Sequence, residues 1–313
     1  MAQQAPLYHG ISPRFSLALN ITDKLSFNFN IGRYFQLPAY TVLGYRDSTN
    51  VLANKQNKIS YIMCDHVVAG FEYNTKINTK FTLEGFYKLY DKYPFTLRDS
   101  ICLANLGGDY GVIGNEPATS ISKGRSYGIE FMAMQKMYKG FYGIVSYTFV
   151  KSEFQDKNNN YIPSAWDNGN ILSLTFGKKF KYNWEAGIKW RYLGGTPYTP
   201  IDVQTSSIKT VWDIRGQGLP DYDKLNSKRL KSFQQLDFRI DKKFFFNKWA
   251  LNIYFDAQNV YKYQTQQTPI LLLDRDANGN AQTDPSNPAA YKTKLIENPT
   301  GNLLETLGII IEF

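Results

Sequence analysis

The side chains best suited to acid–base catalysis are scarce in this chain of 313 residues. Its two histidines are His9 and His66, and His66 directly follows Asp65. A Ser-His-Asp hydrolase needs its base and its nucleophile within hydrogen-bond reach of each other, and the sequence assigns no nucleophile to His66. We therefore predict no catalytic residue, and we interpret His66 as a polar residue at the end of a strand.

One segment matches a calcium-binding loop in the spacing of its oxygen-bearing side chains. Such a loop takes ligands from alternate positions, has a glycine at position six and ends in a bidentate glutamate at position twelve. Position twelve is Pro285 here, and no flanking helices are predicted. We expect a polar loop, with weak calcium binding as the alternative, and we predict no cofactor. The candidate ligands are Asp274, Asp276, Asn278 and Asn280.

A glycine-rich segment and two cysteines complete the residues that could carry chemistry. The segment LGGDYGVIGN (residues 106–115) lacks the Lys-Ser/Thr of a phosphate-binding loop, so we expect a flexible loop that could touch a ligand. Cys64 and Cys102 do not have the spacing of metal ligands. A disulfide is one possibility, but free thiols are favoured.

Apolar residues recur at every second position in about eleven segments, which predicts strands with one apolar face. Short turns and long loops alternate between these segments without exception, which is typical of outer-membrane barrels. The segments are residues 15–21, 25–31, 67–73, 81–89, 127–133, 141–149, 172–176, 184–190, 236–240, 249–255 and 307–313.

Charged residues of these segments fall on the face opposite the apolar one. Charge on a lipid-facing surface is costly, so this segregation predicts a lipid-facing outside and a polar lumen, with the solvated side of an ordinary antiparallel sheet as the alternative. The alternation of turns and loops favours the barrel. The charged residues are Glu72, Glu84, Lys88, Glu130, Glu185, Lys189, Arg191, Asp237, Arg239, Asp241 and Asp256.

The composition agrees with this fold class. Aromatic residues make up 16% of the chain, while the mean hydropathy is only −0.39. No run approaches the roughly 18 apolar residues of a membrane helix, which excludes a helical membrane protein. The net charge is +9, but no basic helix or cluster stands out, so we predict no nucleic-acid partner. We predict an all-β, antiparallel transmembrane barrel wall.

Three stretches and the carboxy-terminal segment resemble the TonB-dependent receptor family, in the form common in Bacteroidota. The resemblance implies a barrel of about twenty-two strands around an amino-terminal plug, so residues 1–313 would be its carboxy-terminal half. The first residues, MAQQAPLYHG, do not form a signal peptide; the signal peptide, plug and TonB box are expected upstream. The stretches are residues 11–40, 124–136 and 190–200, and the segment is residues 293–313.

The resemblance also implies a function, partners and an assembly signal. It implies uptake of a scarce nutrient (siderophore, cobalamin or oligosaccharide) in the outer membrane, driven by the TonB complex through the plug. Its carboxy-terminus would be periplasmic, with Gly308, Ile311 and Phe313 read by the barrel-insertion machinery, although Leu307 stands where that signal usually has a polar residue. The alternatives are a passive porin-like barrel and an outer-membrane hydrolase.

Overall fold

The computed structural model describes residues 10–107 and 113–313 of the chain. Strands dominate it. In chain order they are β1 (Arg14–Asn20), β2 (Leu25–Gln36), β3 (Ile62–Asn74), β4 (Thr79–Thr96), β5 (Ala118–Tyr138), β6 (Phe141–Gln155), β7 (Tyr161–Pro163), β8 (Gly169–Lys179), β9 (Trp184–Leu193), β10 (Pro197–Tyr198), β11 (Lys228–Arg229), β12 (Phe233–Phe245), β13 (Ala250–Gln258), β14 (Ile270–Leu273), β15 (Thr283–Asp284), β16 (Asn287–Tyr291), β17 (Thr293–Ile296) and β18 (Leu304–Glu312).

Eleven of these strands form one continuous antiparallel ladder. Its order is β1, β2, β3, β4, β5, β6, β8, β9, β12, β13 and β18, and β7 adds to β6 beside it. Each ladder strand overlaps one of the alternating segments in the sequence, so the prediction of an antiparallel all-β wall of about eleven strands is confirmed. Within the described residues, β1 and β18 are the two edges of the sheet.

Directly opposed residues in a ladder project from the same face of the sheet, so the register shows which residues share a face. The two faces have opposite character. The face that carries the alternating apolar residues is called the apolar face, and the opposite one the polar face. One row on the apolar face is Phe15, Ile31, Val67, Tyr87 and Tyr127; the next row, on the polar face, is Arg14, Gly32, His66, Lys88 and Ser126.

Short turns close one end of the sheet. Lys139 and Gly140 join β5 to β6 with φ angles of 51° and 84°, and two consecutive positive values are typical of the hairpin turns that match strand twist. Asn78 also has a positive φ, of 60°, in the turn between β3 and β4, and Thr75 stabilises that turn by accepting the N–H of Thr79 at 3.0 Å. This end is called the short-turn end.

The opposite, long-loop end contains the small elements. Helices are short there, and three pairs of strands form small separate ladders: β10 with β11, β14 with β17 and β15 with β16. None of the helices in the described ranges is long and apolar enough to cross a membrane. The helices are α1 (Tyr40–Leu43), α2 (Ala53–Gln56), α3 (Val203–Ser207) and α4 (Lys209–Arg215).

One predicted loop is partly strand. The predicted strand segments 81–89 and 127–133 leave a loop between them, at about residues 93–122, but β4 continues to Thr96 and β5 begins at Ala118. The register shifts between Tyr90 and Tyr93, and again between Tyr93 and Pro94. Such irregularities break the period of two, which is the signal that the prediction used, so the sequence pattern ends before the strand does.

The buried apolar core lies at the long-loop end. One cluster contains Val42, Leu43, Ile59, Leu103 and Ala118, and a second contains Cys102, Ala104 and Phe154. By contrast, side chains on the apolar face of the ladder are exposed, as shown by Leu83 at 50% and Leu307 at 77%. A wall one sheet thick has no interior of its own, so the loops supply the packed core.

Candidate functional site

Two adjoining cavities lie where the polar face meets the long loops. They enclose about 470 and 390 Å³, and Trp166 lines both of them. Together they are called the loop cleft. The first is lined largely by strand residues, including Tyr34, Cys64, Tyr90, Tyr93 and Phe154. The second is lined by loop residues, including Asn105, Thr196, Tyr198, Tyr222 and Asn226.

Trp166 is an exposed aromatic residue between two buried polar anchors. Its relative exposure is 53%, whereas Ser164 and Asp167 are 0% and 1% exposed. The Ser164 hydroxyl donates to Ser152 Oγ at 2.8 Å, and Asp167 Oδ1 accepts the N–H of Ser152 at 2.9 Å. These bonds tie the loop to β6, so the indole is presented to the cleft from a fixed backbone.

Arg229 fixes the same loop from the other side. Its guanidinium makes a close ion pair with the buried carboxylate of Asp167. It also donates to the carbonyls of Asp167 at 2.6 Å and Gly195 at 2.9 Å. A planar guanidinium can make several such bonds at once, so this one side chain joins the loops that contain Asp167 and Gly195. The ion pair with Asp167 balances its charge.

Asn226 joins three further segments. Its Nδ2 donates to the carbonyls of Asn105 and Pro163, both at 2.9 Å, and its backbone N–H donates to Thr199 Oγ1 at 3.0 Å. The side chain of Asn105 itself is different: the residue is 2% exposed, yet neither Oδ1 nor Nδ2 finds a partner among the described residues. Asn105 lines the second cavity of the cleft.

Charged residues on the polar face form a second polar region, between the cleft and the short-turn end. Arg191 contacts Asp237 at 3.3 Å, and Arg239 contacts Asp241 at 2.8 Å. The pairing is incomplete, because three buried side-chain atoms of this region have no hydrogen-bond partner within residues 10–107 and 113–313. These atoms are Arg191 Nε, Asn252 Oδ1 and Asp256 Oδ1.

In the candidate calcium loop, the carboxylate oxygens of Asp274 and Asp276 already have partners in the protein. Asp276 Oδ1 accepts the backbone N–H groups of Asn278 at 2.9 Å and Asn280 at 2.8 Å. Asp274 pairs with Lys292 at 2.8 Å and Lys294 at 3.7 Å, and the hydrogen bond from Lys292 holds the pKa of Asp274 below its ordinary value. In the described part of the chain, no group of three or more His, Cys, Asp or Glu is arranged to hold a metal.

His66 and Asp65 point to opposite faces of β3. Asp65 pairs with Arg33 at 2.6 Å on the apolar face, while His66 stacks on Tyr34 at a centroid distance of 4.3 Å on the polar face. The two side chains therefore do not form a catalytic pair. Both cysteines are free. Residues 108–112 of the glycine-rich segment lie outside the described residues.

Sequence inspection missed a nucleophile-like spacing, G-x-S-x-G, at Gly124–Gly128. A nucleophile elbow needs a sharp strand-to-helix turn, and this segment lies inside the continuous strand β5. Ser126 is opposite Lys88, which in turn is opposite His66. One whole strand thus separates Ser126 from His66, about 9–10 Å in a sheet, so they are not a nucleophile–base pair.

The three residues of the predicted assembly signal lie on the last strand. Gly308 faces Tyr254 and Ile311 faces Leu251 on β13. Phe313 follows the strand and is fully exposed. Gly308 lies at a polar-face position of β18 and Ile311 at an apolar-face position.

The residues of the loop cleft also escaped sequence inspection. Trp166, Asn105 and Asn226 lie in segments without periodicity, and their partners are far away along the chain. A tryptophan inside the polar sequence SAWDNGN (residues 164–170) was the available signal, because exposed aromatic residues in loops often mark binding surfaces.

Residues 4–260 match the family model for "TonB dependent receptor-like, beta-barrel". No curated protein matches the sequence. The chain is similar in structure to the ferric-catecholate import receptor Fiu from E. coli K12, with a TM-score of 0.59 and 10% identity over 96% of this chain and 34% of that one. It is also similar to the unliganded ferric citrate transporter FecA (TM-score 0.58, 13% identity, 96% and 38% covered).

A third similar structure is the ferripyoverdine receptor of Pseudomonas aeruginosa, with a TM-score of 0.56, 14% identity, and 96% of this chain and 33% of that chain covered. The chain thus spans between 33% and 38% of the length of these three solved proteins. At these identities the likeness is one of fold.

Proposed function

The chain belongs to the family of TonB-dependent receptor-like β-barrels, and from this premise we propose that it forms the carboxy-terminal half of the barrel of an outer-membrane nutrient receptor. The receptor would be of the type common in Bacteroidota, with about twenty-two strands in the whole barrel. The chain would contribute wall and loops, and no enzymatic activity.

The observation that carries the proposal is the opposite character of the two faces across all eleven ladder strands. The exposed apolar face suits contact with membrane lipid, where charge is costly, and the Arg33–Asp65 pair on that face lies near its long-loop end. The polar face, with its rows of charged residues, suits a lumen. An antiparallel sheet with one solvated face would bury its apolar face against a second layer, but here that face is exposed.

The ends of the sheet support a direction in the membrane. Outer-membrane barrels have short periplasmic turns and long extracellular loops. On this basis the short-turn end and Phe313 would be periplasmic, and the loop cleft would be extracellular. The cleft then lies at the outer mouth of the lumen, where an incoming nutrient is first captured.

The proposed function implies three partners: a plug domain, the TonB complex and the barrel-insertion machinery. The unpaired polar atoms of Arg191, Asn252 and Asp256 would find hydrogen-bond partners in a polar plug domain inside the lumen, since buried polar groups are rarely left unpaired. That plug would contact the TonB complex. Ile311 and Phe313 would contact the barrel-insertion machinery at the end of the last strand.

An uptake experiment tests the proposal. Cells carrying the full-length receptor are offered ferric siderophores, cobalamin and oligosaccharides, and both surface binding and internal accumulation are measured. We expect accumulation to stop when the TonB complex is deleted, while surface binding persists. Accumulation that continues without TonB would identify a passive porin-like barrel, and cleavage of the ligand at the cell surface would identify a hydrolase.

A further inference from the structure

We infer that the nutrient captured in the loop cleft is a neutral oligosaccharide, bound between the indole of Trp166 and the carboxamide of Asn105. This inference rests on the proposed function, because it names the substrate class of the same receptor. Three independent properties of the described cleft residues carry it: the uncharged lining, the exposed aromatic ring of Trp166 and the amide of Asn105, which has no partner among them.

The described residues that line the cleft are uncharged, although charged residues make up 20% of the chain. No Asp, Glu, Lys, Arg or His is among the described residues that line its two cavities. An anionic ferric chelate would lose its hydration there without gaining a cationic partner, which is strongly unfavourable. A neutral ligand does not incur this cost.

The charges beside the second cavity, which Trp166 and Asn105 both line, do not change this conclusion. The guanidinium of Arg229 is already paired with the buried carboxylate of Asp167. Beyond Tyr222, a smaller cavity of about 110 Å³ is lined by three aspartates and one lysine, and it would repel an anion. These residues are Asp99, Asp156, Asp223 and Lys157.

The exposed indole of Trp166 suits the apolar face of a sugar ring. A hexose presents C–H groups on its faces and hydroxyls on its rim, so it stacks on an aromatic ring and hydrogen-bonds to polar groups around it. Ser164 and Asp167 hold the backbone of Trp166 in place. Tyr198 and Tyr222 line the same cavity and add hydroxyl groups that can both donate and accept.

The carboxamide of Asn105 supplies the specific polar contact. Its Oδ1 accepts and its Nδ2 donates, a combination that complements a pair of neighbouring hydroxyls. Both atoms are buried and unpaired within the described structure, and burying an unpaired polar group costs stability. A ligand that hydrogen-bonds to both atoms removes the free-energy cost of burying them unpaired, and this gain contributes to its affinity.

The test uses the purified full-length receptor with neutral and charged versions of the same glycans. Malto-, cello- and xylo-oligosaccharides are titrated beside uronic-acid oligosaccharides, ferric citrate and cobalamin, and affinity is measured by calorimetry. We expect saturable binding of at least one neutral oligosaccharide, weaker binding of its carboxylate-bearing counterpart, and no binding of ferric citrate or cobalamin.

Two substitutions locate the site. Trp166→Ala should weaken oligosaccharide binding about tenfold or more, as for other aromatic anchors that become buried on binding. Trp184→Ala, at the short-turn end, should leave the affinity unchanged. Asn105→Leu should weaken binding about threefold to tenfold without lowering thermal stability, because the amide has no partner to lose. A structural role for Asn105 would instead lower stability.

The outcomes separate this inference from the proposed function. TonB-dependent accumulation of a ferric chelate or cobalamin, without binding of any oligosaccharide, would support the proposed receptor and contradict the oligosaccharide as its ligand. Oligosaccharide binding without TonB-dependent accumulation would support the proposed ligand and contradict the proposed function as a TonB-dependent receptor. Failure of every neutral oligosaccharide to bind, or unchanged affinity in Trp166→Ala, would also overturn the inference.

Discussion

At the scale of single residues, burial controls the chemistry of the two thiols. Cys102 is 0% exposed in the core at the long-loop end, and this burial raises the pKa of its thiol to about 11. Only the thiolate attacks an alkylating reagent, so at pH 7 roughly one thiol in ten thousand is reactive. Cys64, in contrast, is half-buried and lines the loop cleft.

We therefore predict that maleimide modifies Cys64 but not Cys102 in the folded full-length receptor at pH 7. Because the pKa of Cys102 is raised, its reactivity should grow as the pH rises toward 11, provided that the fold persists. Mass spectrometry of Cys64→Ser isolates the Cys102 signal, and denaturant serves as the positive control. Rapid modification of Cys102 at pH 7 would show that the loop core opens readily.

The residues that build the loop cleft could not be predicted from the sequence. Asp167 and Arg229 are 62 positions apart, and Asn226 lies 121 positions from Asn105. Hydrophobic periodicity reports local structure only, and none of these residues belongs to a periodic segment. Their partners are chosen by how the long loops pack together, which is a property of the folded molecule.

At the scale of elements, glycines opposite aromatic residues recur along the ladder. In each pair the two residues are direct cross-strand partners, and a Cβ atom on the glycine would overlap the partner's ring. The missing side chain lets the ring lie flat across the neighbouring strand, as in designed barrels. The pairs are Gly124 with Phe154, Gly143 with Phe176, Gly177 with Tyr142, and Gly308 with Tyr254.

The role of these glycine–aromatic pairs can be tested at Gly308. The ring of Tyr254 covers Gly308, and Arg239 lies 3.9 Å from the ring centroid. Gly308→Ala should displace the ring and weaken this cation–π contact, at a cost of about 1–3 kcal/mol for overpacking. The measurement is the urea midpoint of the folded full-length protein.

Two further variants control the Gly308 experiment. Gly187→Ala, on the same polar face, adds a Cβ at an ordinary 3.5 Å from the carbonyl oxygen of Phe176 and should cost little. In the Tyr254→Ala background, Gly308→Ala should lose most of its cost, because the overlapping ring is gone. If Gly308 acted only as a recognition signal for assembly, the yield would fall while the urea midpoint stayed unchanged.

The ladder strands were the part of the fold that the sequence predicted well. Apolar and polar residues alternate along these strands because one face meets an apolar environment and the other a polar one. The residue type at each position therefore indicates the face on which it lies. The small strands β7, β10, β11 and β14–β17 were missed, since two to five residues in polar loops show no periodicity. The ends of β4 and β5 were missed because the bulges near Tyr93 shift the register.

At the scale of the whole molecule, the described sheet is an open wall. β1 and β18 are its edges, and each edge presents a row of unpaired backbone N–H and C=O groups. In water such groups are hydrated, but in lipid each unpaired group costs several kcal/mol. Closed barrels avoid this cost because no strand remains at an edge. An isolated wall of this kind is therefore unsuited to a bilayer.

The last prediction follows from these edges. Exported alone behind a signal peptide, residues 1–313 should aggregate or be degraded, whereas the full-length receptor should give a protease-resistant barrel whose mobility changes on heating. Adding the preceding half of the barrel as a separate chain should rescue the fragment partly, because the upstream strands can pair with β1 and β18. The measurement is heat-dependent gel mobility of outer-membrane fractions. A stable, heat-modifiable barrel formed by residues 1–313 alone would mean that β1 and β18 can pair with each other, and the proposed half-barrel would be wrong.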